Sequence, residues 1–258
     1  MALDFTKVTE VPDSGATGEQ HERLMHRYGW AKGLVENKRV LEVACGVGFG
    51  LGCMDAVAKS VVGGDYTHNL LRTARRHYGD RIPLVQLDGD HLPFTDGAFD
   101  LVLIFEAVYY LPDAERFVAE ARRVLDKDGK LLIVSVNPEW DEFAPSPHST
   151  QYLSARELID HLKRGGFGDV ECFGAFETGA GGSVQRVVSI IRRVVVALHL
   201  MPRTLEGRAK LKRLVYGSLK PLPAEIEAEV AVPEPLDRVS EAGEGGVNHK
   251  VLYCTGRR

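Results

Sequence analysis

The sequence predicts an α/β fold: a doubly wound, mostly parallel sheet of seven strands, with an α-helical insertion between the last two. Three observations predict it. Short apolar runs alternate with amphipathic stretches from residue 39 to residue 176. The connections between them are short. The run Val40–Val43 passes directly into a glycine turn, Cys45-Gly46-Val47-Gly48-Phe49-Gly50.

Taken in order, residues 1–18 read as a loose polar arm, and 19–35 as an amphipathic helix. Leu24, Met25, Tyr28, Ala31 and Leu34 could share one of its faces. Strands follow at 39–44, 60–64, 82–86, 100–105 and 130–136, with helices near 50–58, 67–77 and 113–125. The segment Asp100–Phe105 is continuously apolar after its first residue, as expected for a strand covered on both faces. Ser154 and Glu157 form a capping-box pattern at the start of a helix over 154–164, and Gly165-Gly166 stops it. Residues 167–176 read as the sixth strand and 249–255 as the last. This gives an arm and helix (1–36) over the ligand edge, a core (37–178), an insertion (179–246) and a closing core strand (247–258).

The insertion carries two predicted helices, near 184–200 and 204–219, and its charge is lopsided. Residues 183–220 hold nine basic side chains against Glu206, and residues 224–244 hold seven acidic ones against Arg238. Two solvated faces, able to oppose each other, are one reading; a basic wall for an anionic acceptor or a membrane surface is the other. The net charge of −4 gives no global field to gather nucleic-acid phosphates. Cys45, Cys53, Cys172 and Cys254 form no CxxC pair, which suits reduced thiols and a cytoplasmic setting. The N-terminus has no signal-peptide pattern, and Val187–Met201 is too short and too charged to span a bilayer.

The chemistry concentrates after the first three strands. Glycine permits positive φ and close ligand approach, and the helix start after the turn offers free N–H groups. Asp65 ends the second strand beside that turn, where a carboxylate can accept from both hydroxyls of a ribose. Asp88-Gly89-Asp90-His91-Leu92-Pro93-Phe94 then precedes Phe99-Asp100 and the apolar strand.

These elements, in this order over residues 40–105, resemble the class I S-adenosylmethionine-dependent methyltransferases of the quinone- and sterol-methylating style. Their fold is the Rossmann-like sheet described above. The one departure is Gly89, where alanine is usual; both are small. The resemblance implies S-adenosylmethionine as cofactor. Glu42 would help place its methionine amino group, and the backbone of Ala44, Gly46 and Gly48 would face the methionine end. Asp65 would hold the ribose and Tyr66 stack by the adenine. Asp88 would accept from the adenine amino group, with the Gly89 N–H near the ring. Phe105 and Glu106 would line the sulfonium end, and Tyr28 would reach the site from the N-terminal helix. Glu106–Leu111 does not match the signature of enzymes methylating adenine amines or glutamine amides, and Asn137-Pro138-Glu139-Trp140 reads as a loop turn.

A second resemblance covers Thr17-Gly18-Glu19, His21, His26-Arg27-Tyr28 and the loop Asn137–Leu153. It is to methyltransferases encoded with polysaccharide genes, and it implies O-methylation of a sugar or glycan hydroxyl. A quinone, polyketide or other natural product is the alternative acceptor. A hydroxyl also needs a base. His148 is favoured, on the loop after the fifth strand, with Glu106 and Tyr109 as further catalytic candidates and Tyr110, His21 and His26 behind them. A divalent metal that acidifies the hydroxyl is an open route, with oxygen ligands from Asp65, Glu106, Glu139, Asp141 or Glu142. His21 and His26 are five residues apart and share no face for a metal.

Two readings compete. A nicotinamide oxidoreductase should show Gly-x-Gly-x-x-Gly, but Leu51 stands at the last place. A non-catalytic protein of the same fold would bind RNA or membrane through the basic insertion. The partner expected is a small-molecule acceptor, anionic or a glycan; the sequence sets no oligomeric state and allows a homodimer.

Overall fold

A computed structural model describes residues 4–178, 219–227, 229–230, 236–240 and 248–258. In chain order, a 3-10 turn (Phe5–Lys7) and β1 (Gly15–Ala16) precede α1 (Gly18–Val35). Then come β2 (Arg39–Val43), α2 (Leu51–Asp55), β3 (Ser60–Asp65), α3 (His68–Tyr78), β4 (Leu84–Gln86) and β5 (Phe99–Phe105). After a 3-10 turn at Val108–Tyr110 follow α4 (Ala114–Val124), β6 (Leu125–Val136), α5 (Ala155–Arg164) and β7 (Gly168–Glu177). The chain closes with β8 (Lys220–Pro221), β9 (Asp237–Val239) and β10 (His249–Arg257).

The main sheet runs β4-β3-β2-β5-β6-β10-β7-β9. The first five are parallel; β10 is antiparallel to both neighbours, and β9 is antiparallel to β7. Strand order reverses between β2 and β5, and in such sheets ligands bind outside the carboxyl ends at that point. Helices cover both faces. One core joins α1, α2 and α3 to the sheet, and the other joins α4 and α5. Each helix turns an apolar stripe inward. For α5 the buried stripe is Ala155, Leu158, Ile159 and Leu162, and the Ser154–Glu157 capping box starts it as the sequence predicts. On α1, Leu24, Tyr28 and Ala31 are buried with Val35, while Met25 and Leu34 are half-buried.

Several expectations change. The main sheet has eight strands, because the insertion contributes β9 at its edge. It also contributes β8, which pairs with β1. The arm is therefore pinned: the Asp13 N–H donates to the Leu222 carbonyl and the Leu222 N–H to that of Ser14. The sixth-strand boundary holds within a residue, but β6 starts five residues before the predicted 130, directly from α4. Phe99 pairs with Leu125 and Leu101 with Lys130, so residues 126–129 bulge out. The predicted helices near 184–200 and 204–219 and most of their basic side chains lie outside the described residues.

The cysteines also differ from expectation. Cys172 on β7 stands opposite Cys254 on β10, with Cα atoms 4.1 Å apart, and the two form a disulfide. They are 82 residues apart in the chain, so local spacing gives no sign of the pair; sheet register creates it. Cys45 and Cys53 are buried free thiols. No described helix is long and apolar enough to cross a membrane.

Candidate active site

The glycine turn leaves β2 through a run of left-handed residues: Ala44 at φ 58°, Gly46 at 60° and Gly48 at 83°. That conformation favours glycine, and Ala44 is held in it by the surrounding structure. The Cys45 N–H donates to the Gly64 carbonyl at 2.9 Å, tying the turn to β3. Asp65, at the end of β3, locks it. One carboxylate oxygen accepts the Gly46 N–H at 2.8 Å and the other the Thr67 N–H at 2.7 Å. Burial pushes the Asp65 carboxyl up, and the two N–H donors oppose that.

The helix α1 lies across the turn. A Cβ at Gly50 would fall 2.0 Å from the Tyr28 ring, so no larger residue fits there. The Tyr28 hydroxyl donates to Glu42 at 2.5 Å, and the ring packs edge-on against Phe105 at 5.3 Å. The other Glu42 oxygen is buried with no hydrogen-bond partner. A buried acceptor left open in this way has capacity for a donor from outside the chain, a water or a ligand group. Burial drives the Glu42 carboxyl up to about 7, with Tyr28 and Arg27 pulling the other way.

Because the folded-state value lies above the ordinary 4.5, Glu42 favours folding most below that value. Its ionisation then costs stability as pH rises toward 7. Glu42→Gln is thus expected to raise the melting temperature at pH 8 by the equivalent of about 1–3 kcal/mol, with little gain at pH 4. Thermal melts across pH check this, and an equal shift at both pH values would refute it.

Around the rim, Tyr66 is 42% exposed, the one large hydrophobic residue so exposed among those described. Asp88 is exposed and accepts the Asp90 N–H at 3.0 Å. Gly89 is buried, and a Cβ there would lie 2.8 Å from a Leu111 methyl. Leu111 thus fills the space where the usual alanine would carry its methyl.

Beyond β5, Glu106 takes φ 53° while its N–H donates to Val134 at 2.7 Å. Its carboxylate accepts the Tyr109 hydroxyl at 3.2 Å. Burial raises the Glu106 carboxyl, against Arg27, Arg23 and the Tyr109 hydrogen bond. Burial also holds the Tyr109 phenol well above its ordinary value, which suits a donor and not a base. Tyr109 stacks on Tyr152 at 4.3 Å, and the Tyr110 hydroxyl meets Ser146 Oγ at 2.5 Å.

His148 is exposed on the loop, at φ 68°, with its ring 6.4 Å from Phe5. Phe5 also packs against Tyr66 and Tyr110 at 6.4 and 5.2 Å. It thus joins His148 to the rim, while Glu106 sits inside it. His26 is engaged with the Tyr253 hydroxyl at 2.7 Å, and His21 Nε2 lies 3.4 Å from the Lys220 carbonyl, so the two act separately. Asn137 closes a structural turn, its side-chain amide donating to the His249 carbonyl. Asp65, Glu106, Glu139, Asp141 and Glu142 form no metal-binding cluster. Among the described residues, the groups that approach such geometry are Glu177, Asp237 and His249.

Residues 41–133 match the family model described as a methyltransferase domain, across the glycine turn, Asp65, Asp88 and Glu106. Residues 41–133 thus carry a methyltransferase domain, set in the fold shared by S-adenosylmethionine-dependent methyltransferases. The nicotinamide reading falls with that. A probable S-adenosylmethionine-dependent methyltransferase from Mycobacterium tuberculosis is 36% identical over 143 residues, covering 53% of this chain and 51% of the relative. The phthiotriol/phenolphthiotriol dimycocerosates methyltransferase 1 of Mycobacterium ulcerans is 35% identical over 173 residues, covering 63% and 61%. The match therefore spans about half the length of the first relative and three-fifths of the second. In fold, a methyltransferase from Thermotoga maritima superimposes with a TM-score of 0.56 at 17% identity, over 93% of this chain and 95% of that one.

Three features of this site are invisible to sequence periodicity. Arg27 reaches the Glu106 side of the site with its Nε buried and unpartnered. Burial works against its charge, but Tyr28, Glu106, Glu10 and Tyr253 outweigh that and raise it. The Thr9 methyl comes within 3.3 Å of where a Gly46 Cβ would stand, so the arm covers the turn. Glu225, from the insertion, pairs with His77 and Arg81 while Ile226 N–H donates to Phe49 at 2.7 Å.

Proposed function

We propose that this protein is an S-adenosylmethionine-dependent O-methyltransferase acting on a hydroxyl of a lipid-like natural product. The observation that carries the reaction type is Glu106: a half-buried carboxylate, raised by desolvation and oriented by Tyr109, at the strand end beside the glycine turn. When bound, the cofactor supplies an activated methyl group on a sulfonium. The open Glu42 oxygen fits its methionine amino group and Arg27 its carboxylate. Asp65 retains lone pairs for ribose hydroxyls, Tyr66 presents an exposed ring to the adenine, and Asp88 with the Gly89 N–H would meet the base edge.

In line with this, Glu106 takes the acceptor proton and Tyr109 holds Glu106 in place. His148, favoured by sequence, would shape the entry with Phe5. Alignment of acceptor, methyl and sulfur can lower the barrier by about 7–11 kcal/mol, and a base adds on the order of 10²–10⁴-fold. The insertion 179–246 would serve as acceptor lid, with its described stretch 219–227 seated against Phe49. The reading keeps a small-molecule acceptor and no nucleic acid, while the Cys172–Cys254 disulfide removes the reduced-thiol argument for the cytoplasm.

For the acceptor, the sugar expectation gives way to the natural-product alternative. Phe5, Tyr66, Tyr109, Tyr110, Phe143 and Tyr152 make a run of aromatic contacts along the rim, suited to an apolar body. The mycobacterial relative named for phthiotriol dimycocerosates supports the same class. Methyl transfer from labelled cofactor to a panel of long-chain diols, hydroxy lipids, quinols and monosaccharides, with and without chelator, tests it. Turnover at least tenfold faster on the lipid alcohols is expected; turnover confined to sugars would overturn the acceptor reading.

A further inference from the structure

We propose that Glu177, Asp237 and His249 form a divalent transition-metal site that fastens the insertion's returning strand to the core sheet. The three residues come from the adjacent strands β7, β9 and β10, at the carboxyl edge of the sheet. Their ligand atoms all lie within 4.8 Å of one another. His249 Nε2 is 2.9 Å from Asp237 Oδ2, and Glu177 is the register partner of His249. His249 is 6% exposed, whereas both carboxylates are exposed and free to rotate inward.

The imidazole has a fitted seat. A Cβ at Gly174 would fall 2.3 Å from its ring, so β7 keeps a glycine where the ring rests. The Asn137 side chain donates to the His249 carbonyl at 2.8 Å and fixes the backbone behind it. A preset, buried imidazole with two adjustable carboxylates is an N/O/O donor set. It suits Zn²⁺ above Mg²⁺ or Ca²⁺, which prefer all-oxygen shells. Ligand bonds of about 2.0–2.2 Å are reached with Asp237 near its present distance from the imidazole and the Glu177 carboxylate turned toward the pair. The ion takes the place of the proton shared between Nε2 and Asp237, and solvent completes its shell.

The fold gives such an ion a task. β9 is three residues long and, among the described residues, pairs with β7 alone. Arg238–Glu171 at 3.1 Å is an exposed pair and holds it weakly. An ion shared by three strands would hold it firmly, without entering the methyl-transfer chemistry.

The test is calorimetric titration of the chelator-stripped full chain with ZnCl₂ and MgCl₂, repeated on Glu177→Gln, Asp237→Asn and His249→Gln, with melting curves in parallel. One Zn²⁺ per chain is expected, with affinity lowered at least tenfold in each variant, no comparable Mg²⁺ binding, and a Zn²⁺-dependent rise in melting temperature in the unsubstituted protein only. The two exposed carboxylate variants keep the test decisive if His249→Gln misfolds. Absence of Zn²⁺ binding, or an affinity unchanged in Glu177→Gln and Asp237→Asn, overturns the site.

Discussion

Asp65→Ala is expected to weaken S-adenosylhomocysteine binding on the order of 100-fold or more, measured by calorimetry. Two losses add. The carboxylate is a ribose acceptor in the proposed site, and charge-assisted hydrogen bonds are worth about 1.5–3 kcal/mol each. It also satisfies the Gly46 and Thr67 N–H groups, and each donor left buried and open costs about 1–3 kcal/mol. Gly46 already stands at φ 60°, so releasing its N–H frees the turn that must meet the ligand. Asp65→Asn separates the two losses, because its amide oxygen can still accept one N–H. The alanine variant binding within twofold of the parent protein would end the assignment.

Glu106→Gln is expected to lower kcat by about 10²–10⁴-fold while leaving S-adenosylhomocysteine affinity within a few-fold. The base must be ionised to act, so kcat should rise with pH through the Glu106 value, which burial places above that of an ordinary carboxylate. Tyr109→Phe removes a hydrogen bond that lowers this value, so the rising limb should move to higher pH. Were His148 the base instead, His148→Gln would abolish the limb and Glu106→Gln would not. A parallel loss of cofactor affinity in Glu106→Gln would show that Glu106 holds the ligand and does not take the proton.

Where physics is local, the sequence was readable. The apolar run of β5, the stripe of α5 with its capping box, and the glycine turn all rest on neighbours within a few residues. Asp65 beside that turn was also legible, because parallel strands with short connections leave few topologies. What escaped depends on contacts across long stretches of chain. β9 has three residues and no pattern of its own, and Cys172 meets Cys254 only through the register of β7 with β10. Arg27 reads as an ordinary charged position on α1, and only packing reveals that its Nε is buried. Phe5 belongs to an arm whose composition reads as loose, yet β1–β8 pairing and the aromatic rim hold it down.

The antiparallel pairing of β7 with β10 has a consequence for how such a protein can change. The strands on either side of residues 178–248 are hydrogen-bonded to each other and joined by the Cys172–Cys254 link, so the whole intervening stretch begins and ends at one closed point. Closing a longer loop there costs only about 0.6 kcal/mol per doubling of its length. Apart from β9 and residues 219–227, which hold the arm, α3 and the glycine turn, the stretch that would select the acceptor can therefore be lengthened or shortened while the cofactor-facing half of the molecule keeps its stability. Variation in what is methylated is thereby uncoupled from the machinery that delivers the methyl.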